Sequence, residues 1–414
     1  LGFKDLYPEL ETRYERQKTK SRRGSILFGP VKLEDREGAF AGNHDRGNGI
    51  VEGIEGTIGN TPLIKLRSLS EATGCIILAK AEFLNGAGGS PKDRVALNMI
   101  QVAEEQGLLS PGRGDTIYEG TVGSTGISLA VLARARGYKA HICMPDDMAI
   151  EKSDLLHHLG ATVERVPVAP ITDPGHFVNL ARTRAKEHTA ASDTPSRGFF
   201  ADQFESLANY SAHMKTTGPE IYEQTEGRLD AFVAGAGTGG TIAGVAKHLK
   251  EERGLEGRLR VVLADPQGSG LYNKVRHGVM YSPTEREGTR RRTQVDTMVE
   301  GIGINRVTEN FEAGRGLVDD AVKVTDEQAC RMARWLVEHD GVFVGSSSAV
   351  NCVAAVVTAL KMPKDSRVVT ILCDSGSRHL SKFWKHIAAM GLEDETQEQD
   401  EDLLAVLGLQ DLRR

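Results

Sequence analysis

From Ile54 to about Ala389 the chain alternates short apolar runs with amphipathic stretches, and this limits the folds open to it more than any other feature. The runs include Cys75–Ala79, Lys139–Met144, Ala231–Ala234, Leu259–Ala264 and Val368–Leu372. Strand-like runs separated by helical patterns predict βα units, and hence an α/β fold with a mostly parallel sheet. The chain divides into a polar N-terminal extension (1–50), a core (51–388) and an acidic tail (389–414). The extension crowds Arg13, Arg16, Lys18, Lys20, Arg22 and Arg23 together. The tail ends in Leu403, Leu404, Val406, Leu407 and Leu409, spaced for one short amphipathic helix, which either docks or frays.

Net charge is −6 and the charges are interleaved, so no basic stripe offers itself to nucleic acid. The five cysteines (Cys75, Cys143, Cys330, Cys352, Cys373) are scattered and form no Cys-x-x-Cys, which reads as reduced, mostly buried thiols. His157-His158 and the His141/Cys143 pair lack zinc spacing, and no metal is expected. The uncharged run Gly341 to Leu360 could span a bilayer by length. Its Ser346-Ser347-Ser348 and Asn351 predict instead a strand, a polar turn and a buried helix. The chain begins at Leu1, not Met, so a targeting or anchoring segment before it is an open expectation, as is any membrane tether it would supply.

Lys92 stands in Gly88-Gly89-Ser90-Pro91-Lys92-Asp93-Arg94. Two glycines permit a tight turn, Ser90 suits a helix N-cap, and Pro91 suits the first helical position. Val95, Met99, Val102 and Ala103 continue at helical spacing to Gly107. Lys92 therefore belongs to the first turn of a helix, where the dipole disfavours its protonated form, as a lysine that attacks a carbonyl carbon requires. A solvated lysine in an ordinary capped helix is the plainer alternative.

Three further loops look built for a ligand. Gly235-Ala236-Gly237-Thr238-Gly239-Gly240-Thr241 follows a strand-like run and opens a helical one, so its amides and hydroxyls suit phosphate. It also meets G-x-G-x-x-G in part, with Asp265 further on, so a nicotinamide-dependent dehydrogenase has to be weighed. The loop Glu119-Gly120-Thr121-Val122-Gly123-Ser124-Thr125-Gly126 offers donors without positive charge, suited to a carboxylate. Asp374-Ser375-Gly376-Ser377-Arg378 closes a strand-like run, where such folds bind ligands. Lysine, phosphate loop, carboxylate loop and strand-end hydroxyl together point to pyridoxal phosphate with an amino acid. A binding module without catalysis would be expected to lack Lys92.

In these segments, and in Gly56–Leu63, Lys152, Asp202-Gln203-Phe204, Thr216–Glu220 and Glu300–Gly303, the sequence resembles the fold-type II pyridoxal-phosphate enzymes of the cysteine synthase and cystathionine β-synthase group. The resemblance implies two subdomains, each with a mostly parallel sheet flanked by helices, the smaller one (about 86–205) moving onto the substrate. It implies Lys92 as the cofactor's covalent anchor and catalytic base. Gly237, Thr238, Gly239, Gly240 and Thr241 would hold the phosphate, and Ser375 would face the pyridine nitrogen. Thr121, Gly123, Thr125 and Gln203 would hold the substrate carboxylate, and Ser124 would reach the cofactor's 3′-oxygen. The implied reaction makes L-cysteine from O-acetyl-L-serine and sulfide through an aminoacrylate. Cysteine desulfhydrase and serine-using cystathionine β-synthase-like activities share that route and stay open. Two departures bear on substrate choice: one extra residue within Asn85–Gly88, and Val122 and Ser124 where the family has Ser and Asn. The architecture resembles fungal cysteine synthases associated with mitochondria, which implies a mitochondrial homodimer, a cytoplasmic one being the alternative.

Overall fold

The computed structural model describes residues 50–148, 150–191, 195–282, 285–286, 297–392 and 402–412, all within the unit His44–Arg414. The extension, apart from Ile50, and residues 393–401 of the tail lie outside the described residues.

Among the described residues, twelve strands form two main sheets and a small hairpin. They are β1 (Leu63–Lys65), β2 (Ile76–Ala81), β3 (Thr116–Gly120), β4 (Lys139–Pro145), β5 (Thr162–Val166), β6 (Gly198–Phe200), β7 (Ala231–Gly235), β8 (Arg260–Pro266), β9 (Tyr281–Ser282), β10 (Glu285–Arg286), β11 (Asp320–Val324) and β12 (Arg367–Leu372). The larger sheet runs β1-β2-β12-β7-β8-β11 and is parallel except for β1. The smaller runs β5-β4-β3-β6, all parallel, and draws only on residues between Thr116 and Phe200. The apolar runs read from the sequence coincide with β2, β4, β7, β8 and β12. β9 and β10 form the antiparallel hairpin.

Parallel sheets need cover on both faces. One face of the large sheet packs on helices Asp326–Asp340 and Ser346–Leu360, and the other on the helix Gly240–Lys247. The small sheet is covered by helices Lys92–Glu105 and Ser124–Ala135 on one side and by Phe177–Ala190 on the other. Parallel strands have their C-termini at one edge of the sheet, and residues following β3, β7 and β12 in the two sheets line one cleft.

Gly341 to Leu360 departs from expectation. Only Val344 pairs as a strand, in an isolated bridge with Ser375, and the helix starts at once at Ser346. The serines and Asn351 are thus buried inside a helix, not in a turn. Three of them satisfy distant backbone groups: Ser346 Oγ accepts from Glu300 N (3.0 Å), Ser348 Oγ from Cys373 N (2.8 Å) and Asn351 Oδ1 from Gly235 N (2.7 Å). Among the described residues no helix is long and apolar enough to cross a membrane.

The tail's alternative is resolved towards docking on its own chain. Asp402 caps the short helix Leu403–Val406, which packs against helix Arg67–Thr73, and Leu403, Leu404, Leu407 and Leu409 join the core cluster on that side of the large sheet. Gln328 Nε2 donates to Leu407 O at 3.2 Å.

Candidate active site

The loop before Lys92 is held by its own helix. Gly89 adopts φ +67°, which favours glycine, and Asp93 accepts from the amides of Gly88 and Gly89 at 2.8–2.9 Å. The helix runs Lys92–Glu105 with Pro91, not Ser90, at its cap position and no side-chain cap, one residue later than the sequence predicts; Ser90 Oγ still accepts from Lys92 N at 3.3 Å. The extra residue is absorbed nearby: Asn85 accepts from Gly59 N (2.8 Å) and donates to Glu82 O (2.8 Å), and a Cβ on Gly86 would meet Thr57 Oγ1 at 1.9 Å. Burial lowers the Lys92 pKa, with partial opposition from Cys373 and Asp374, so its amine loses its proton more readily than a surface lysine.

Lys92 opens onto a cavity of about 550 Å³ between the two sheets. Thr121, Gly123, Ser124, Thr125 and Gln203 line it on the small-sheet side, and Gly237, Thr238, Gly239 and Thr241 on the other. The glycine loop is closely packed. A Cβ on Gly237 would lie 2.3 Å from Gly301 O, one on Gly240 2.0 Å from Asn209 Oδ1, and Gly239 has φ +84°. Gly240 itself is the first residue of helix Gly240–Lys247, whose opening amides lack intrahelical partners and face the cavity end of the helix dipole. Two threonine hydroxyls stand in this loop. Asn209 Nδ2 donates to Thr238 Oγ1 at 2.9 Å, and Thr241 Oγ1 lies 3.2 Å from the Nε2 of buried His213, which desolvation holds neutral, at about 3. A lysine, a helix N-terminus cleared of side chains and this volume fit a phosphorylated pyridine aldehyde.

Ser375 stands in the loop after β12 between Asp374 and Ser377, which line the cavity, without itself being a lining residue. Its backbone bridges Val344, and its Oγ lies 2.9 Å from Ser377 Oγ. On the large-sheet side Ser347, Ser377 and Ser381 line the cavity, with Cys373 beside them. Ser346-Ser347-Ser348 was expected as a polar turn ahead of a buried helix, whereas the helix begins at Ser346 itself.

Arg378 closes the strand-end loop read from the sequence, which gave it no role of its own. It donates from Nη1 to Gly88 O (2.7 Å) and from Nη2 to Ser124 Oγ (3.2 Å), tying the β12 loop to both small-subdomain loops. Val122 turns towards the apolar cluster of Cys143, Phe177 and Val178. At the cavity mouth Lys152 Nζ lies 3.0 Å from Glu300 Oε1, and His379 lies 3.5 Å from Glu300 and 3.0 Å from Asp374. Burial works against both charges there, but the partners prevail: Glu300 is held down to about 2 and His379 up to about 9. Asp265, the residue that would mark a nicotinamide site, is buried and accepts from Tyr272 N at 2.8 Å.

His157 and His158 end the helix Ile150–His158, and His141 and Cys143 lie in β4. Glu164 joins the latter pair across β5, but Arg184 holds that carboxylate from Nε and Nη2 (3.2 and 2.8 Å).

Residues 54–374 match the family described as "Pyridoxal-phosphate dependent enzyme". A Neurospora crassa protein named cysteine synthase 2 is 74% identical over an alignment covering 100% of this chain and 94% of its own length. A Saccharomyces cerevisiae protein, named provisionally as a mitochondrial cysteine synthase, is 58% identical over 81% of this chain and 84% of its own. The crystal structure of an O-ureido-L-serine synthase superposes with a TM-score of 0.69 at 31% identity, covering 86% of this chain and 99% of that one. With the family matched over most of its length, the chain belongs to the pyridoxal-phosphate dependent enzymes.

Proposed function

We propose that the protein is a cysteine synthase, replacing the acetate of O-acetyl-L-serine with sulfide. The observation that carries this reading is the single cavity in which Lys92, the Gly237–Thr241 loop and the Thr121–Thr125 loop meet. The names of its fungal relatives support the choice of reaction. Pyridoxal phosphate, when bound, supplies an electron sink that makes the substrate's α-carbon acidic.

The chain's own residues do the rest. Lys92 Nζ holds the cofactor and then accepts the α-proton, a task suited to an amine whose burial eases deprotonation. The amides and hydroxyls of Gly237–Thr241 hold the phosphate, with Gly240 starting the helix behind it. Ser347, in place of Ser375, offers the ring nitrogen a neutral hydroxyl, which limits the sink to the loss of a β-substituent. Thr121, Gly123, Thr125 and Gln203 would take the substrate carboxylate, and Ser124, positioned by Arg378, would serve the cofactor's 3′-oxygen. Acetate leaves from Cβ and sulfide attacks there, returning a proton to Cα from Lys92.

Closure of the smaller subdomain (about 86–205) on the carboxylate excludes water and completes the site. A homodimer resident in mitochondria is part of the same proposal; the yeast relative's name supports the location.

The test is a paired assay. Cysteine formed from O-acetyl-L-serine and sulfide is compared with sulfide released from cysteine at equal enzyme. Synthesis faster than release is expected. Release dominating would make the protein a desulfhydrase.

A further inference from the structure

Glu119 stands one residue before the end of β3, fully buried, and among the described residues no cation pairs with it. Both its oxygens face Gln203. Oε2 accepts from the Gln203 backbone N–H and Oε1 from its Nε2, each at 3.3 Å. That Nε2 also lies 3.4 Å from Gly120 O. The other end of the amide, Gln203 Oε1, accepts the Thr125 hydroxyl at 2.6 Å. The Gln203 backbone is fixed: its carbonyl accepts from Asn209 (2.7 Å) and Asn310 (3.2 Å). The side-chain amide is therefore the part that can turn.

A threonine hydroxyl has one proton, and Thr125 spends its own on Gln203. In this arrangement the two side chains turn lone pairs, not donors, towards a ligand carboxylate. Turning the amide over reverses that. Its NH₂ then meets the Thr125 oxygen, and the Thr125 proton is released towards the cavity. The amide oxygen would then face Glu119, which is favourable only if Glu119 has a proton to donate.

We propose that Glu119 is a positioning residue that sets the direction of the Gln203 amide, so that the carboxylate subsite becomes rich in donors when Glu119 is protonated. This rests on the reading that the Thr121–Thr125 loop takes the substrate carboxylate. The groups around Glu119 favour a mixed population near neutral pH. Burial, then the charge of Asp202, hold its pKa up at about 8, against the Gln203 and Gly120 hydrogen bonds. Arg182, on helix Phe177–Ala190, is paired with Asp202 at 3.2 Å, and the neighbouring Cys143 thiol on β4 stays neutral, at about 12. Ligand affinity therefore falls as pH rises through about 8.

The test uses holoenzyme and L-alanine, which has no leaving group on Cβ, with binding read from the cofactor's visible absorption between pH 6.5 and 9. Glu119→Gln keeps the shape and removes the titration. Ionisation of the ligand's amino group affects both proteins equally, so the ratio of wild-type Kd to variant Kd isolates Glu119. That ratio is expected to rise about tenfold from pH 6.5 to pH 9, as a carboxyl with a pKa near 8 requires. A ratio that stays flat overturns the proposal. Gln203→Ala, which keeps Glu119, supplies a second reading: its Kd should lose the same pH-dependent component, and retention of that component also overturns the proposal. Thr121→Ala separates this from the site assignment. If that change leaves L-alanine affinity untouched, the carboxylate loop itself is misassigned; if it weakens binding while the ratio stays flat, only the role of Glu119 fails.

Discussion

Arg94 and Glu82 are joined twice, Nε to Oε2 and Nη2 to Oε1, each at 2.8 Å. The same guanidinium reaches Glu220 at 2.5 and 2.8 Å, and Lys80 reaches Glu220 at 2.6 Å. All four side chains are buried, and the two cations balance the two anions. Since Arg94 follows Lys92 by two residues, this cluster pins the reactive lysine's helix to the end of β2. The chemistry of Lys92 depends on where that helix starts.

Arg94→Met should therefore be costly. Burial opposes the charge of Glu82, but Arg94 outweighs it and holds the carboxyl down to about 2. Without Arg94, two buried carboxylates share one ammonium, and breaking such a pair costs about 3–5 kcal/mol. Urea unfolding should show a loss of that order, with weaker cofactor retention. A loss under ~1 kcal/mol would mean that the cluster is not what secures the helix.

The loops around Lys92 were legible because their constraints are local. Gly89 needs a positive φ, Ser90 and Pro91 lead straight into the helix at Lys92, and Gly237–Thr241 sits between a strand and a helix that periodicity reveals. Ser347 was not legible, because periodicity within Gly341–Leu360 does not fix where a helix begins. That start depends on Glu300 N and Cys373 N finding Ser346 and Ser348, contacts far apart in the chain. Arg378 is harder still: its partner Gly88 is 290 residues away. The order of the runs pointed to parallel βα units, and only the family resemblance divided them into two sheets, whereas the tail's docking depended on an apolar surface formed only by the assembled core.

Ser347→Ala and Ser375→Ala give a direct contrast. Ser347 lines the cavity and Ser375 does not. Ser347→Ala should shift the cofactor's visible absorption and lower kcat at least tenfold, and Ser375→Ala should leave the spectrum unchanged. The reverse pattern would restore Ser375 to the ring nitrogen.

His379 gives a pH prediction at the cavity mouth. Its pKa is raised from the ordinary 6.5 to about 9, so its stabilising contribution is complete below 6.5 and is lost as pH rises through 9. At most this amounts to ~3 kcal/mol, from ~1.4 kcal/mol per pH unit of displacement. Melting temperatures of wild type and His379→Gln should differ most near pH 6 and converge by pH 9.5. A gap that widens with pH would contradict the ion-pair account.

The most direct measurement concerns Lys92 itself. Holoenzyme treated with borohydride, digested and mapped by mass spectrometry should carry the reduced pyridoxal phosphate on Lys92 Nζ. Lys92→Ala should yield no modified peptide and a colourless protein. Modification at another lysine, or an unchanged visible spectrum in Lys92→Ala, would contradict the assignment of this cavity as the active site.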